Sequence, residues 1–252
     1  MSHGAKIIAY KERCQAKRQF EKVAQSGSAE QAPSLHLQLL ELDADLAGLK
    51  RLERRADKVT HKRDVLLPKW LPIVNDYLQQ IDSKEITPHD NPLFAYCILW
   101  LFDVGDFGRA ISFGLRAIDL GQPTPARIKR TWPTFIAGTV LDWALVQAEN
   151  GNSVEPYFGQ VFAKVKSGWK LPEPVTAAYY KQAGLALIRA TDGTVKPSTV
   201  GDVATLQQAD ALLEKAQLIY RNAQVKTIRN QIAMRLRALD KVPGLSLDSA
   251  DA

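Results

Sequence analysis

Leu93-Phe94-Ala95-Tyr96-Cys97-Ile98-Leu99-Trp100-Leu101-Phe102-Asp103-Val104-Gly105-Asp106 is the stretch that decides the fold. Ten apolar residues run without a break, from Leu93 to Phe102. A bilayer span needs roughly twenty, so the run reads as a buried helix. Asp103-Val104-Gly105-Asp106 ends it, and Ala110, Phe113, Ala117 and Ile118 line one face of a second helix that Gly121 stops. Alanine at 110 and 117 lets two helices approach closely.

Working outward, this pair resembles a tetratricopeptide helical hairpin, with Gly105-Asp106-Phe107 at the turn. A weaker echo lies downstream. Ala178-Tyr179-Tyr180 to Ile188 forms one helix, the loop Asp192–Asp202 follows, and Ala209 to Ala216 forms its partner. Asn222 to Leu239 reads as a capping helix. No strict period joins the copies, so residues 81–240 read as an array of tetratricopeptide-like hairpins rather than a true repeat protein. No credible strand is present, and the fold class is all-α.

Upstream, Ser34 is a candidate N-cap for a long helix. Leu35, Leu39, Leu42, Leu46 and Leu49 step by four and three, a leucine seam at heptad spacing. Leu52, Ala56 and Val59 carry it on after a one-step slip. Two readings stay open: packing against another helix of the chain, or self-association. The helix is basic further on. Arg51, Arg54, Arg55, Lys58 and Lys62 share an arc of roughly 100° opposite the apolar back, and only Glu53 and Asp57 interrupt the run. A face made only for solubility usually mixes both signs. Residues 34–80, including the Pro68/Pro72-bracketed helix entry around Trp70, form the expected oligomerisation and DNA-binding segment.

Residues 1–33 read as a basic arm and a Ser/Gly/Pro linker. Lys6, Lys11, Arg13, Lys17, Arg18 and Lys22 leave no clean apolar stripe, so the arm can order on a polyanion. Residues 241–252, with Asp248 and Asp251, read as a disordered tail. The chain of 252 residues carries 33 Lys and Arg against 27 Asp and Glu, a net +6. That excess is compatible with nucleic acid as a partner and does not demand it. Size and an apolar content of 46% exclude a disordered chain or a disulfide mini-scaffold. Cys14 and Cys97 make no disulfide framework, and no secretory leader is visible near Lys6 to Arg13, so a cytoplasmic location is expected.

Catalytic signatures are sparse. No Gly-rich loop with Gly-Lys-Ser/Thr occurs. His3, His36, His61 and His89 lack metal-ligand spacing. Asp103 and Asp106, with Asp90 upstream, are the nearest carboxylates for two-metal phosphodiester cleavage, although their spacing suits a turn or cap better. The turn around Arg127, Lys129, Arg130 and Trp132 could touch phosphate and stack on a base, or could be a plain surface corner.

Arg63-Asp64-Val65-Leu66-Leu67-Pro68-Lys69-Trp70-Leu71-Pro72-Ile73-Val74-Asn75 resembles the Leu-Pro-x-Trp-Leu-Pro-x-Val-Asn segment of the small terminase subunits of peduovirus-type temperate tailed phages. Leu99 to Asp106, then Lys129-Arg130-Thr131-Trp132-Pro133, resemble the same family in the same order. The resemblance implies cos-site recognition in viral double-stranded DNA and a large ATPase subunit as partner. Self-association is expected from the leucine seam and no membrane partner from the shortness of the apolar run, so the expected place is the bacterial host cytoplasm. Relatives are often named endonuclease subunits. Whether this chain is itself an enzyme stays open, and no cofactor is expected beyond a divalent metal if nuclease activity is intrinsic. A tetratricopeptide-like protein adaptor and a genuine nuclease are the competing readings.

Overall fold

The structure, a computed structural model, describes residues 31–241. By its internal contacts it divides into two compact units, with the boundary between Trp132 and Pro133. The proposed arm residues Lys6 to Lys22 and the tail from 242 onward lie outside the described residues. Among the described residues every regular element is helical, and the one β-type pairing is an isolated bridge between Arg189 and Val195. The all-α expectation holds. No described helix is long and apolar enough to cross a membrane.

The first unit contains α1 (Gln31–Arg51), α2 (Arg55–His61), a π-helical turn (Lys62–Leu66), α3 (Leu67–Asp82), α4 (Pro92–Asp103) and α5 (Phe107–Asp119). Helix α4 is its centre. All ten residues from Leu93 to Phe102 are buried, as a helix apolar on every face requires. Pro92 occupies its first turn, and the Asn91 side chain accepts from the Phe94 N–H at 3.1 Å. Gly105 turns the chain at φ +83°, and α5 then lays Ala110, Gly114 and Ala117 into the core. These side chains are small enough to let α5 close on α4.

Two expectations upstream need correction. The helix already runs at Gln31, so Ser34 lies within α1 and does not start it. The long leucine-and-basic helix is also not continuous. It stops at Arg51, and Arg54 is extended (φ −82°, ψ 138°) before α2 begins. Two forces favour this break. Lys50, Arg51, Arg54 and Arg55 would repel at three- and four-residue spacing on one helix. The break also lets the chain fold back, so that Trp70 Nε1 and Lys69 Nζ each reach Asp45 Oδ2 at 2.8 Å. A straight helix would hold positions 45 and 70 roughly 37 Å apart. Trp70, tied to Asp45, and Leu66 beside it are both fully buried, and burying a leucine side chain contributes about 1.5–3 kcal/mol. Ala56, expected on the apolar back, is exposed.

From Arg55 the chain stays helical to Asp82, but through a widened turn in which the Leu67 N–H donates to the Lys62 carbonyl five residues back. Pro68 explains it. Proline has no N–H for the Asp64 carbonyl, and its ring would strike that carbonyl in tight α geometry.

A polar knot closes the first unit. Gln122, buried, donates to Tyr77 Oη and the His89 carbonyl, and its Oε1 accepts from the Asn91 N–H at 2.8 Å. Tyr77 Oη donates to the His89 carbonyl at 2.8 Å. Burial, above all, pushes the His89 imidazole below its ordinary pKa. The unfolded histidine titrates near 6.5, so on acidification it takes the proton before the folded one does. Stability is therefore complete above about pH 6.5 and declines as pH falls toward the folded value. Urea denaturation should give a lower midpoint at pH 5.5 than at 7.5, and His89→Gln should shrink that difference. An equal acid loss in the variant would rule this source out.

The second unit contains α6 (Trp132–Glu149, beginning at the boundary), α7 (Tyr157–Lys166), α8 (Glu173–Leu187), a short 3-10 turn (Pro197–Thr199), α9 (Val203–Ile219) and α10 (Lys226–Asp240). Gly184 lets α8 and α9 touch, because a Cβ there would sit 3.0 Å from the Ala209 carbonyl oxygen and 3.1 Å from Leu213. Arg229 of α10 forks onto both Asp210 oxygens at 2.8 and 3.0 Å and reaches Glu214 at 3.0 Å, tying α10 to α9.

Candidate nucleic-acid interface

The basic residues predicted to share one helical arc are split by the break. Arg51 ends α1, Arg54 is in the extended link and Arg55 opens α2. All three are exposed, and none forms an ion pair with a described residue. The link thus gathers three open guanidinium groups within five residues. Lys58 is half-buried one turn further on. Lys62 is different: its Nζ lies 2.6 Å from Asp103 Oδ2, and its side chain is 14% exposed.

The predicted carboxylates have structural partners. Asp103 holds Lys62. Asp106 caps α5, accepting from the Arg109 N–H at 3.1 Å and from Arg109 Nε at 2.7 Å. Among the described residues no group of three His, Cys, Asp or Glu side chains is arranged to hold a metal ion. Cys97 is buried in α4, and burial pushes its thiol up to about 12.

In the turn before α6, Lys129 and Arg130 are exposed, and Arg127 lies over the Tyr96 ring at 5.2 Å. Trp132 cannot stack on a base as the sequence suggested. It is 3% exposed, and its Nε1 donates to the Gln122 carbonyl at 3.0 Å. The aromatic helps to close the polar knot and leaves the loop only its charge.

The leucine seam faces inward. Leu42 and Leu49 are buried, while Leu35, Leu39 and Leu46 are half-buried, all within the one chain. The opposite side of α1 carries a second stripe that the sequence reading missed: Leu37 (65% exposed), Leu40 (54%), Ala44 and Ala47. Its steps of three and four were visible, but the longer leucine series masked them.

The geometry describes an all-α protein whose open cations gather at a helix break and whose nearest acidic pair is engaged in a bridge and a cap. The family model described as phage small terminase subunit matches residues 39–174, more than half of the chain. The "Probable terminase, endonuclease subunit" of Haemophilus phage HP1 (strain HP1c1) is 39% identical over 82% of this chain and 76% of its own. The "Terminase, endonuclease subunit" of Escherichia phage P2 is 28% identical over 75% of this chain and 74% of its own. No solved structure matches significantly. The chain belongs to the phage small terminase subunit family, and with that family it has a role in packaging phage DNA.

Proposed function

We propose that this chain is the DNA-recognition subunit of the packaging machinery. Several copies associate, set the cations of the α1–α2 link and the N-terminal arm against cos DNA, and bring a large ATPase subunit to it in the host cytoplasm. The supporting observation is the cluster of three exposed arginines without described ion-pair partners at Arg51, Arg54 and Arg55. Such cations replace counterions on phosphates and give affinity without sequence choice. The choice of cos falls to other side chains or to DNA shape. Association multiplies weak contacts through effective concentration, and the exposed Leu37–Leu40 face of α1 is the surface we assign to it. The test is the affinity for a cos duplex and an unrelated duplex across a salt series. A steep fall of log affinity with log salt, with cos retained more tightly, supports the reading. No DNA binding, with capture of the large subunit intact, would favour the protein adaptor.

The names of both relatives favour a second reading, in which the chain itself cuts DNA with a divalent metal. Against it stands the engagement of Asp103 by Lys62 and of Asp106 by the α5 cap. The purified chain with magnesium or manganese should leave a cos duplex intact, and cutting should begin when the large subunit is added. Cutting by the chain alone, lost in Asp103→Asn plus Asp106→Asn with helix content preserved, would establish the nuclease.

A further inference from the structure

The charge excess of the described residues lies mainly in the second unit. Residues 133–241 carry thirteen Lys and Arg against nine Asp and Glu, whereas residues 31–132 carry fourteen against thirteen. Two of those lysines, on separate helices, lie over aromatic rings that touch one another. Lys166 Nζ of α7 lies 4.9 Å from the Phe162 ring centroid, and Lys215 Nζ of α9 lies 4.6 Å from that of Tyr180. The two rings meet edge to face at 5.2 Å and 84°. Phe162 also stacks on Phe158 at 5.8 Å and on Tyr179 at 6.2 Å, so an aromatic block spanning α7 and α8 supports both ammonium groups.

Both lysines are exposed, and neither forms an ion pair with a described residue. The nearby carboxylates are directed elsewhere. Glu214 precedes Lys215, but one residue is about 100° of helix, and Glu214 points to Arg229 together with Asp210. A ring face attracts a cation and fixes its position without cancelling its charge. The arrangement therefore holds two full positive charges, already ordered, at the surface.

We propose that Lys166 and Lys215 form a second phosphate-contacting site, which binds the backbone of double-stranded DNA without regard to sequence. The proposal rests on the DNA-binding reading above and adds a contact in the other unit. The charge of the whole unit favours a polyanion: residues 133–241 carry thirteen Lys and Arg against nine Asp and Glu, and a basic excess of this kind attracts the phosphate backbone of nucleic acid. A lysine ammonium meets a phosphate as a point charge. Two contacts add about 1.8 to the slope of log affinity against log salt.

The test is fluorescence anisotropy of the full chain on a cos duplex and an unrelated duplex, over a salt series. Lys166→Gln plus Lys215→Gln should reduce the slope by about 1.8 on both duplexes, with helix content and melting temperature kept. Lys166→Arg plus Lys215→Arg should restore it. An unchanged slope in the folded glutamine variant, with a reduced one in an Arg54→Gln plus Arg55→Gln variant, overturns this site and leaves the DNA-binding reading standing. Loss of large-subunit capture with an unchanged slope overturns it in favour of protein docking. No salt-dependent binding by the unaltered chain overturns both readings.

Discussion

Arg51→Glu, Arg54→Glu and Arg55→Glu together should lower DNA affinity about 100-fold or more at 0.1 M salt, for every sequence alike. Three lost phosphate contacts take about 2.7 from the slope of log affinity against log salt, and three new negative charges add repulsion. The fold should tolerate the change. The three side chains are exposed and have no described ion-pair partner to lose, so each substitution stays within about 0.5 kcal/mol. Lys62→Gln supplies the contrast. It strips Asp103 of its ion-pair partner and should cost about 1 kcal/mol of stability or less, since Asp103 keeps access to solvent. Its effect on the slope should be small, because the lysine is already engaged. Anisotropy titrations beside urea denaturation separate the two outcomes. If the triple variant keeps its slope while folded, the DNA site lies elsewhere, with the exposed Lys129 and Arg130 next in line.

The elements most legible in the sequence were those defined by near neighbours. Leu93 to Phe102 reads as a buried helix because no polar residue interrupts it, and Gly105 and Gly121 occupy the positive-φ turns expected of them. The break between α1 and α2 was hidden. No glycine or proline marks residues 52–54, and the contacts that reward folding back join Asp45 to Lys69 and Trp70, 24 and 25 positions further on. Trp132 misled for a similar reason. Beside Arg130 it looks like a stacking residue, and only the Gln122 carbonyl, ten residues upstream, reveals that it is buried. The pair Lys166 and Lys215 had little local signature beyond the four-residue spacing of Phe162 and Lys166, since the two lysines and the rings under them are drawn from three helices. The cations of the helix link were legible as residues, but their shared arc assumed a straight helix that the chain does not keep.

The two faces of α1 give the other large prediction. Leu42 is 3% exposed within its own chain, so Leu42→Asp with Leu46→Asp should damage the first unit before it affects any assembly. A carboxylate buried without a partner costs about 3–5 kcal/mol, a large share of the stability of a small domain. The outer stripe should behave in the opposite way. Leu37→Lys with Leu40→Lys replaces two exposed leucines and should leave the melting temperature within a few degrees. If that stripe joins copies of the chain, the same pair places lysines against one another in the interface and dissociates it. Light scattering at micromolar concentration should then give a multimer for the unaltered chain, a folded monomer for the outer variant and an unfolded or aggregated product for the inner one. A monomeric unaltered chain would remove self-association from the proposed function. A folded inner variant that is merely monomeric would return the interface to the leucine seam. The logic turns on burial within one chain: a side chain already covered by its own fold has little surface left to offer a second copy, whereas Leu37 and Leu40 have most of theirs.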